Sequence, residues 1–142
     1  MLEEDISDKR KNRHKQTQED FTPISIVNTL LDLASEDLFC NFSKTFCDPC
    51  IGSGNIAIEV LKRRFKHCKS KEDVYDALST IYGVELMEDN VEECRQKFVY
   101  ECLKFSSSNN IDLEDKKIIE IINHNIVCSD FFEWDFENWK HK

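Results

Sequence analysis

Glycine and proline are scarce in this chain, and several of them fall in one short run. The chain contains three glycines and two prolines, and residues 48–55 read Asp-Pro-Cys-Ile-Gly-Ser-Gly-Asn. Glycine reaches positive φ and lets a ligand approach the backbone closely. A chain this poor in glycine has little reason to group Gly52 and Gly54 unless such an approach is needed. The spacing therefore predicts a ligand-binding loop that begins at Asp48.

Three carboxylates follow apolar runs that predict strands: Asp48, Glu85 and Asp130. In an open α/β sheet, ligands bind beyond the carboxyl ends of the strands. Glu85 would stand alone at the end of its strand, where an acid accepts hydrogen bonds from ribose hydroxyls. Asp130 offers an acceptor for an exocyclic amine, and the next residue, Phe131, offers an aromatic face for a purine. Together these residues predict an adenosine site.

The elements that must position these residues alternate along the chain. Apolar runs predict strands, and apolar residues at helical spacing predict helices between them. Thr22 is a suitable N-cap and Pro23 a suitable first residue for the first of these helices. A strand, a glycine turn, a helix and a second strand form the βαβ pattern of a parallel sheet. The predicted strands are residues 42–50, 80–86 and 126–132, and the predicted helices begin at residues 22, 55, 72 and 89, with residues 116–122 a helix or a strand.

The composition narrows the class of protein. The net charge is −9 and the isoelectric point is about 4.9, which disfavours a long unaided footprint on duplex DNA. Seven scattered cysteines, an odd number, are typical of a reduced, intracellular protein. No apolar stretch approaches the roughly 18 residues of a membrane span, and the opening residues are charged. We expect a cytoplasmic protein with no membrane partner, with a flexible charged arm over residues 1–19 and one α/β domain over residues 20–142.

The residues of the central loop also fit two other kinds of site, a dinucleotide site and a thiol site. Gly52 and Gly54, with Ala57 three residues later, formally fit the dinucleotide fingerprint, which is a weak signal alone. Asp48, however, places a negative charge where a pyrophosphate would approach, and such a charge suits a cation instead. The ammonium and sulfonium of S-adenosylmethionine, a cofactor without phosphate, meet that requirement. Cys47 and Cys50 could also form a redox or zinc pair, although no second pair with ligand spacing accompanies them, and we predict no metal site.

With these residues in place, the chain resembles the N-terminal, cofactor-binding part of a class I S-adenosylmethionine-dependent DNA adenine-N6 methyltransferase, of the restriction-modification or phage type. Phe21-Thr22-Pro23 is similar to the family's Thr-Pro segment, and residues 48–56 are similar to its motif I. Gly83-Val84-Glu85-Leu86 is similar to motif II, and Cys128-Ser129-Asp130-Phe131 resembles motif III. The match covers most of residues 18–133.

The resemblance implies a fold and a set of cofactor contacts. The fold would be a Rossmann-like sheet with helices on both faces, apparently incomplete because only strands one to three are present. Thr22 and the loop from Asp48 to Gly54 would hold the methionine moiety, Glu85 the ribose, and Leu86 the adenine face. Asp130 and Phe131 would contact the adenine edge and ring. The implied cofactor site is Phe21, Thr22, Asp48, Pro49, Gly52, Gly54, Glu85, Leu86, Asp130 and Phe131.

The chain also departs from the family. Members follow motif III with a fourth strand that ends in Asp or Asn, Pro, Pro and an aromatic residue, whereas here no proline occurs after Pro49. No catalytic residue is therefore assigned, and the family's target-recognition region is also missing. In the family the fourth strand lies beside the first, so we expect an open, aggregation-prone edge there.

Two classes of function stay open. In one, the chain is the donor-binding portion of a DNA adenine methyltransferase, inactive unless a second polypeptide or a missing C-terminal part completes it. DNA would then be reached only through a missing or separate recognition subunit. In the other, it is a non-catalytic module that binds an adenosine cofactor, or the remnant of an interrupted methyltransferase gene.

Overall fold

A computed structural model describes residues 22–142. The predicted arm over residues 1–19 and the predicted cofactor residue Phe21 lie outside this range. The helices and strands follow in chain order: α1 Ile24–Asp32, α2 Asp37–Cys40, β1 Phe46–Asp48, α3 Asn55–Phe65, α4 Lys71–Ser79, β2 Ile81–Glu85, α5 Glu88–Asn109, α6 Asp115–Asn125, β3 Ile126–Cys128, a 3₁₀ turn Phe131–Glu133, β4 Trp134–Asp135 and β5 Lys140–His141.

The central sheet is parallel and has the order β1-β2-β3. Asp48 lies opposite Gly83, and Glu85 lies opposite Cys128. Each strand is reached through at least one helix, as parallel neighbours require. The predicted α/β pattern is therefore confirmed, and the sheet fits a Rossmann-like fold. The register brings the carboxyl ends of all three strands to one edge, where the predicted site residues lie.

The hydrophobic core lies between the helices and one face of the sheet. Ile81 and Ile126 of the sheet share a buried cluster with residues from α1 to α6. Helix α5 contributes Val91, Cys94 and Phe98, each at most 2 % exposed, at the predicted helical spacing. Burial of this apolar stripe fixes α5 against the sheet and directs its first turns toward the predicted site.

Arg64 of α3 is a buried charge with a structural role. The side chain is 0 % exposed, and its guanidinium donates to three backbone carbonyls and to Thr80 Oγ1, the latter at 2.6 Å. Burial lowers the pKa of Arg64 from its usual value. The acceptors lie in α2, in the segment before β1 and at the end of α4, so Arg64 joins α3 to the segments that lead into β1 and β2. They are Leu38 O, Lys44 O, Ala77 O and Thr80 Oγ1.

Helix α1 differs from its predicted form in two ways. Pro23, with φ −61° and ψ 146°, is the N-cap and not the first helical residue. The prediction that Thr22 caps the helix is therefore wrong: Thr22 lies one residue before the cap, and the cap residue makes no side-chain hydrogen bond. The helix also buries a narrower stripe than its apolar residues suggest. Val27 and Leu31 are buried, whereas Ile26 and Leu30 are each about half exposed. Neighbouring positions on a helix point about 100° apart, so both pairs cannot face the same core.

The strands are shorter than the apolar runs that predict them. The run at residues 42–50 contains a strand only at Phe46–Asp48, and the run at residues 126–132 contains one only at Ile126–Cys128. Asp130 is consequently not the last residue of a strand. It is the N-cap of the 3₁₀ turn, where its Oδ1 accepts a hydrogen bond from Phe132 N at 2.8 Å.

The second face of the sheet carries an antiparallel hairpin of β4 and β5. The Trp139 ring lies against Tyr82 of β2, with centroids 4.7 Å apart, and Trp139 Nε1 donates to His124 O at 2.8 Å. Trp134 is 5 % exposed. These aromatic residues thus cover part of the sheet, and helices on both faces stay a prediction.

Within residues 22–142, none of the helices has the length and apolar character needed to cross a membrane. The same range contains no cluster of three or more His, Cys, Asp or Glu side chains that could hold a metal ion.

Candidate functional site

The loop between β1 and α3 is built by its two glycines. Gly52 has φ +61° and Gly54 has φ +94°, both in the left-handed region that other residues rarely adopt. Gly54 is the N-cap of α3. The left-handed turn allows the chain to reverse within a few residues of Asp48 and to enter α3 directly. Both glycines thus adopt the positive φ expected of them, and their role in holding a ligand stays a prediction.

Gly54 is also required by its neighbour on α5. A Cβ at this position would lie 2.6 Å from Cys94 Sγ, well inside contact distance. Cys94 is 0 % exposed, and burial raises the pKa of its thiol to about 12. The thiol therefore acts as a small apolar group that supports the loop from below.

Gly83 plays the corresponding part on β2. A Cβ on Gly83 would overlap Ile51, with only 2.9 Å to Ile51 Cβ. Ile51 is 5 % exposed, and its N–H donates to Val84 O at 2.9 Å. The loop thus folds over β2 because the strand has no side chain at Gly83.

A cavity of about 60 Å³ lies at this loop. Its walls come from the predicted Thr-Pro segment, the end of β1, the loop and the first turn of α3. The lining residues are Thr22, Asp48, Cys50, Ile51, Gly52, Ser53, Asn55 and Ile56. The structure therefore brings Thr22 beside Asp48 and Gly52, which follow it at a distance in the sequence. The volume suits one end of a small molecule and leaves the rest to lie along the sheet edge.

Asp48 supplies the negative charge of the cavity. Its Oδ1 accepts a hydrogen bond from Cys50 N at 3.0 Å, which fixes the carboxylate toward the loop. Burial raises the pKa of Asp48 from its usual value, although the Cys50 hydrogen bond opposes the shift. A half-buried carboxylate whose charged form is destabilised gains most from a cationic ligand. This supports the expectation that a cation, rather than a phosphate, approaches here.

Cys47 and Cys50 do not have the character of a reactive pair. Burial, followed by the charge of Asp48, raises the pKa of both thiols. The charge of Glu85 also raises the pKa of Cys50, so the Asp48 and Glu85 carboxylates both lie near this thiol. A redox or metal-binding thiol needs the opposite shift. The same two charges give the sheet edge a negative potential.

Glu85 is held in place by the start of α5. Its Oε2 accepts hydrogen bonds from Met87 N at 3.2 Å and from Asn90 Nδ2 at 2.9 Å. Asn90 is 0 % exposed. Because both donors use Oε2, the carboxylate is oriented with its second oxygen, Oε1, available to accept hydrogen bonds from a ligand.

Leu86, Asp130 and Phe131 lie beyond the ends of β2 and β3. Leu86 is 57 % exposed and Phe131 is 43 % exposed. Two contacts join the strand ends: Ser129 N donates to Glu85 O at 3.0 Å, and Cys128 Sγ lies 3.5 Å from Leu86 O. Leu86 thus offers an exposed aliphatic side chain directly after β2, and Phe131 offers an exposed ring in the turn that follows β3.

Pro49 is exposed and does not line the cavity. Sequence reasoning assigned it to the cofactor site as part of motif I. Its fixed φ limits the conformations of the turn that follows Asp48.

Sequence reasoning missed three residues of α5 that support the site: Asn90, Cys94 and Lys97. Asn90 orients Glu85, and Cys94 lies against Gly54. Lys97 Nζ lies 3.4 Å from Ser53 Oγ and 3.5 Å from Asn55 Oδ1. Helical spacing indicated that Cys94 faces inward, but no local signal connects it with a glycine 40 residues earlier. The signal available for Asn90 was an asparagine four residues before Cys94, and therefore on the same face of the helix.

Comparison with known proteins adds an independent finding. The chain is 34 % identical over 102 residues to the type II methyltransferase M.VspI of Vibrio sp. (strain 343). The matched region covers 72 % of this chain and 21 % of that protein, so the chain spans about a fifth of the length of the curated relative it matches. No family model matches the chain. No solved structure matches it. The sequence similarity, together with the glycine loop and the strand-end carboxylates, supports a relationship between this chain and a methyltransferase.

Proposed function

We propose that residues 22–142 bind S-adenosylmethionine as the donor-binding part of a DNA adenine-N6 methyltransferase. The observation that carries the proposal is the cavity in which Thr22, Asp48 and Gly52 meet at the carboxyl edge of a parallel sheet. The similarity to a type II methyltransferase supports the reaction class.

The methionine end of the donor would occupy this cavity. Its ammonium would pair with Asp48, because burial raises the pKa of that carboxyl and a cation relieves the cost of its charge. The left-handed conformations of Gly52 and Gly54 keep the backbone close to the ligand. The donor supplies the methyl group on its sulfonium. The chain's own groups bind and orient the donor.

The adenosine end would follow the sheet edge. Glu85 Oε1 would accept hydrogen bonds from the ribose hydroxyls, since Met87 and Asn90 already occupy Oε2. The adenine would lie between Leu86 and Phe131, and its amine would reach Asp130. The negative edge disfavours a pyrophosphate, which supports this donor over a dinucleotide.

Methyl transfer would require a further strand beside β1. Within the described residues β1 pairs only with β2, and Phe46 N donates to Thr80 O at 2.9 Å. Because alternate residues of a parallel strand face opposite neighbours, the N–H and C=O of Cys47 point to the open side. We propose that a segment carrying the Asp- or Asn-Pro-Pro-aromatic motif pairs there. DNA binding would also belong to other segments, given the charge of −9.

Calorimetric titration with S-adenosylmethionine tests the binding step. We expect micromolar affinity, about 8 kcal/mol, and a gain in stability of about 2.7 kcal/mol at a hundredfold excess over the dissociation constant. Gly52→Arg should abolish binding while the chain stays folded. Asn110→Arg is the matched control, because Asn110 also has positive φ, +53°, and ends α5 away from the cavity. A folded parent chain that gives no heat and no change in melting temperature would contradict the proposal.

The second candidate function is a non-catalytic module that binds an adenosine cofactor. The two candidates differ in what they require beside β1, because only a methyltransferase needs a catalytic strand there. The test is methylation of DNA by the chain together with a polypeptide that carries the catalytic motif. Donor binding without transfer in that mixture would favour the second candidate.

A further inference from the structure

We infer that Lys97 is a positioning residue for the methionine end of the donor, acting through Ser53 and Asn55. The inference rests on the proposed function, because it concerns the wall of the same cavity. It assigns a role to a side chain of α5 that lies outside every motif identified in the sequence.

Among the described residues, the Lys97 ammonium lies near acceptors from Ser53, Asn55 and Glu93. Nζ is 3.4 Å from Ser53 Oγ, 3.5 Å from Asn55 Oδ1 and 3.9 Å from Glu93 Oε1. An ammonium has three N–H donors, so one side chain can serve all three oxygens. Glu93, one turn earlier on α5, offsets the charge of the lysine and keeps it beside the loop.

Asn55 extends this network to the Thr-Pro segment. Its Oδ1 faces Lys97, and its Nδ2 donates to Thr22 O at 3.4 Å. The amide of Asn55 therefore connects α5 on one side with the segment before α1 on the other. Thr22, Ser53 and Asn55 all line the 60 Å³ cavity, whereas Lys97 does not.

Lys97 lies behind that wall, in a neighbouring groove with Ile24, Ile58 and Tyr100. Because its Nζ contacts two side chains of the cavity wall, we expect its effect on a ligand to pass through Ser53 and Asn55. Ser53 is 3 % exposed, so loss of the lysine would remove a hydrogen-bond donor from a buried hydroxyl. Asn55 would lose the contact that orients its amide toward Thr22.

The experiment compares two ligands on three proteins. The ligands are S-adenosylmethionine and 5′-methylthioadenosine, which has the same adenosine but a neutral thioether in place of the sulfonium, and which lacks the amino-acid end. The proteins are the parent, Lys97→Met and the control Lys104→Met, which makes the same change at an exposed position of α5. We expect Lys97→Met to weaken S-adenosylmethionine binding about tenfold, the scale of one hydrogen bond to a charged group. Its affinity for methylthioadenosine should change less than twofold, and Lys104→Met should match the parent for both ligands.

Hydrogen exchange of the ligand-free chain gives a readout that needs no cofactor. In Lys97→Met the amides of residues 52–55 should exchange faster than in the parent, while those of α6 should be unchanged. Unchanged loop exchange, equal donor affinity in Lys97→Met and the parent, or equal loss of both ligands would each overturn the inference. A parent chain that binds neither ligand would instead contradict the proposed function, and the positioning role would fall with it.

Discussion

Replacing Gly54 with alanine tests how the glycine loop is built. Two costs follow from the structure. Gly54 has φ +94°, and a residue with a Cβ held in the left-handed region costs about 1–2 kcal/mol. The new Cβ would also lie 2.6 Å from Cys94 Sγ, roughly 1 Å inside normal contact, and overpacking of this kind costs about 1–3 kcal/mol.

We therefore expect Gly54→Ala to lower the free energy of unfolding by about 2–5 kcal/mol, a large share of the roughly 5–15 kcal/mol typical of a domain. The assay is urea unfolding followed by circular dichroism. A double-mutant cycle with Cys94→Ala separates the two costs, because removal of Sγ relieves the overlap but leaves the backbone cost. The two substitutions should show a favourable coupling of about 1–3 kcal/mol.

Two results would refute this reasoning. A loss below about 1 kcal/mol for Gly54→Ala would mean that the loop does not hold the left-handed conformation in solution. Strict additivity of Gly54→Ala and Cys94→Ala would mean that α5 does not lie directly beneath the loop.

Three further predictions follow from other residues of the structure. Burial raises the pKa of Asp48, so the folded chain holds this proton more tightly than the unfolded chain does, and the stability that the bound proton gives is lost as the pH rises from the usual pKa of 3.8 through the pKa of the folded chain. Asp48→Asn should therefore be more stable than the parent at pH 7 but not at pH 3 by urea unfolding, and it should bind S-adenosylmethionine at least about tenfold more weakly. Lower stability of this variant at pH 7 would contradict the burial of the charge. Arg64→Leu should lose at least about 3 kcal/mol by urea unfolding, because three backbone carbonyls lose their donor. The control Lys66→Leu, which removes an exposed cation at the C-cap of the same helix, should lose about 1 kcal/mol or less. Equal losses would show that Arg64 does not join α3 to the neighbouring segments. Glu85→Gln should weaken binding of both S-adenosylmethionine and methylthioadenosine by a similar factor in calorimetry, since both ligands have the ribose. A loss confined to S-adenosylmethionine would show that Glu85 does not bind the sugar.

The sequence predicts the parts of the site whose signals are local. The paired glycines indicate a left-handed loop because no other residue type adopts that backbone easily, and Gly52 and Gly54 both do so. Glu85 ends a strand as expected, because an apolar run followed by an acid is visible within a few residues. The α/β alternation follows from the same apolar periodicity.

What could not be predicted depends on neighbours distant in sequence. Strand length depends on pairing as well as on apolar composition, so β1 stops at three residues although the apolar run is longer. The exposure of Ile26 and Leu30 on α1 depends on which stripe meets α3. The supporting roles of Cys94 and Lys97 arise only when α5 folds against a loop some 40 residues earlier in the chain.

The central claim is that the carboxyl edge of the sheet binds S-adenosylmethionine, and a crystal structure of the chain grown with saturating cofactor tests it most directly. We expect the donor's ammonium to pair with Asp48, its ribose hydroxyls to donate to Glu85 Oε1, and its adenine to lie between Leu86 and Phe131. A cofactor bound elsewhere on the chain, or an edge that stays empty at a concentration far above micromolar, would contradict it.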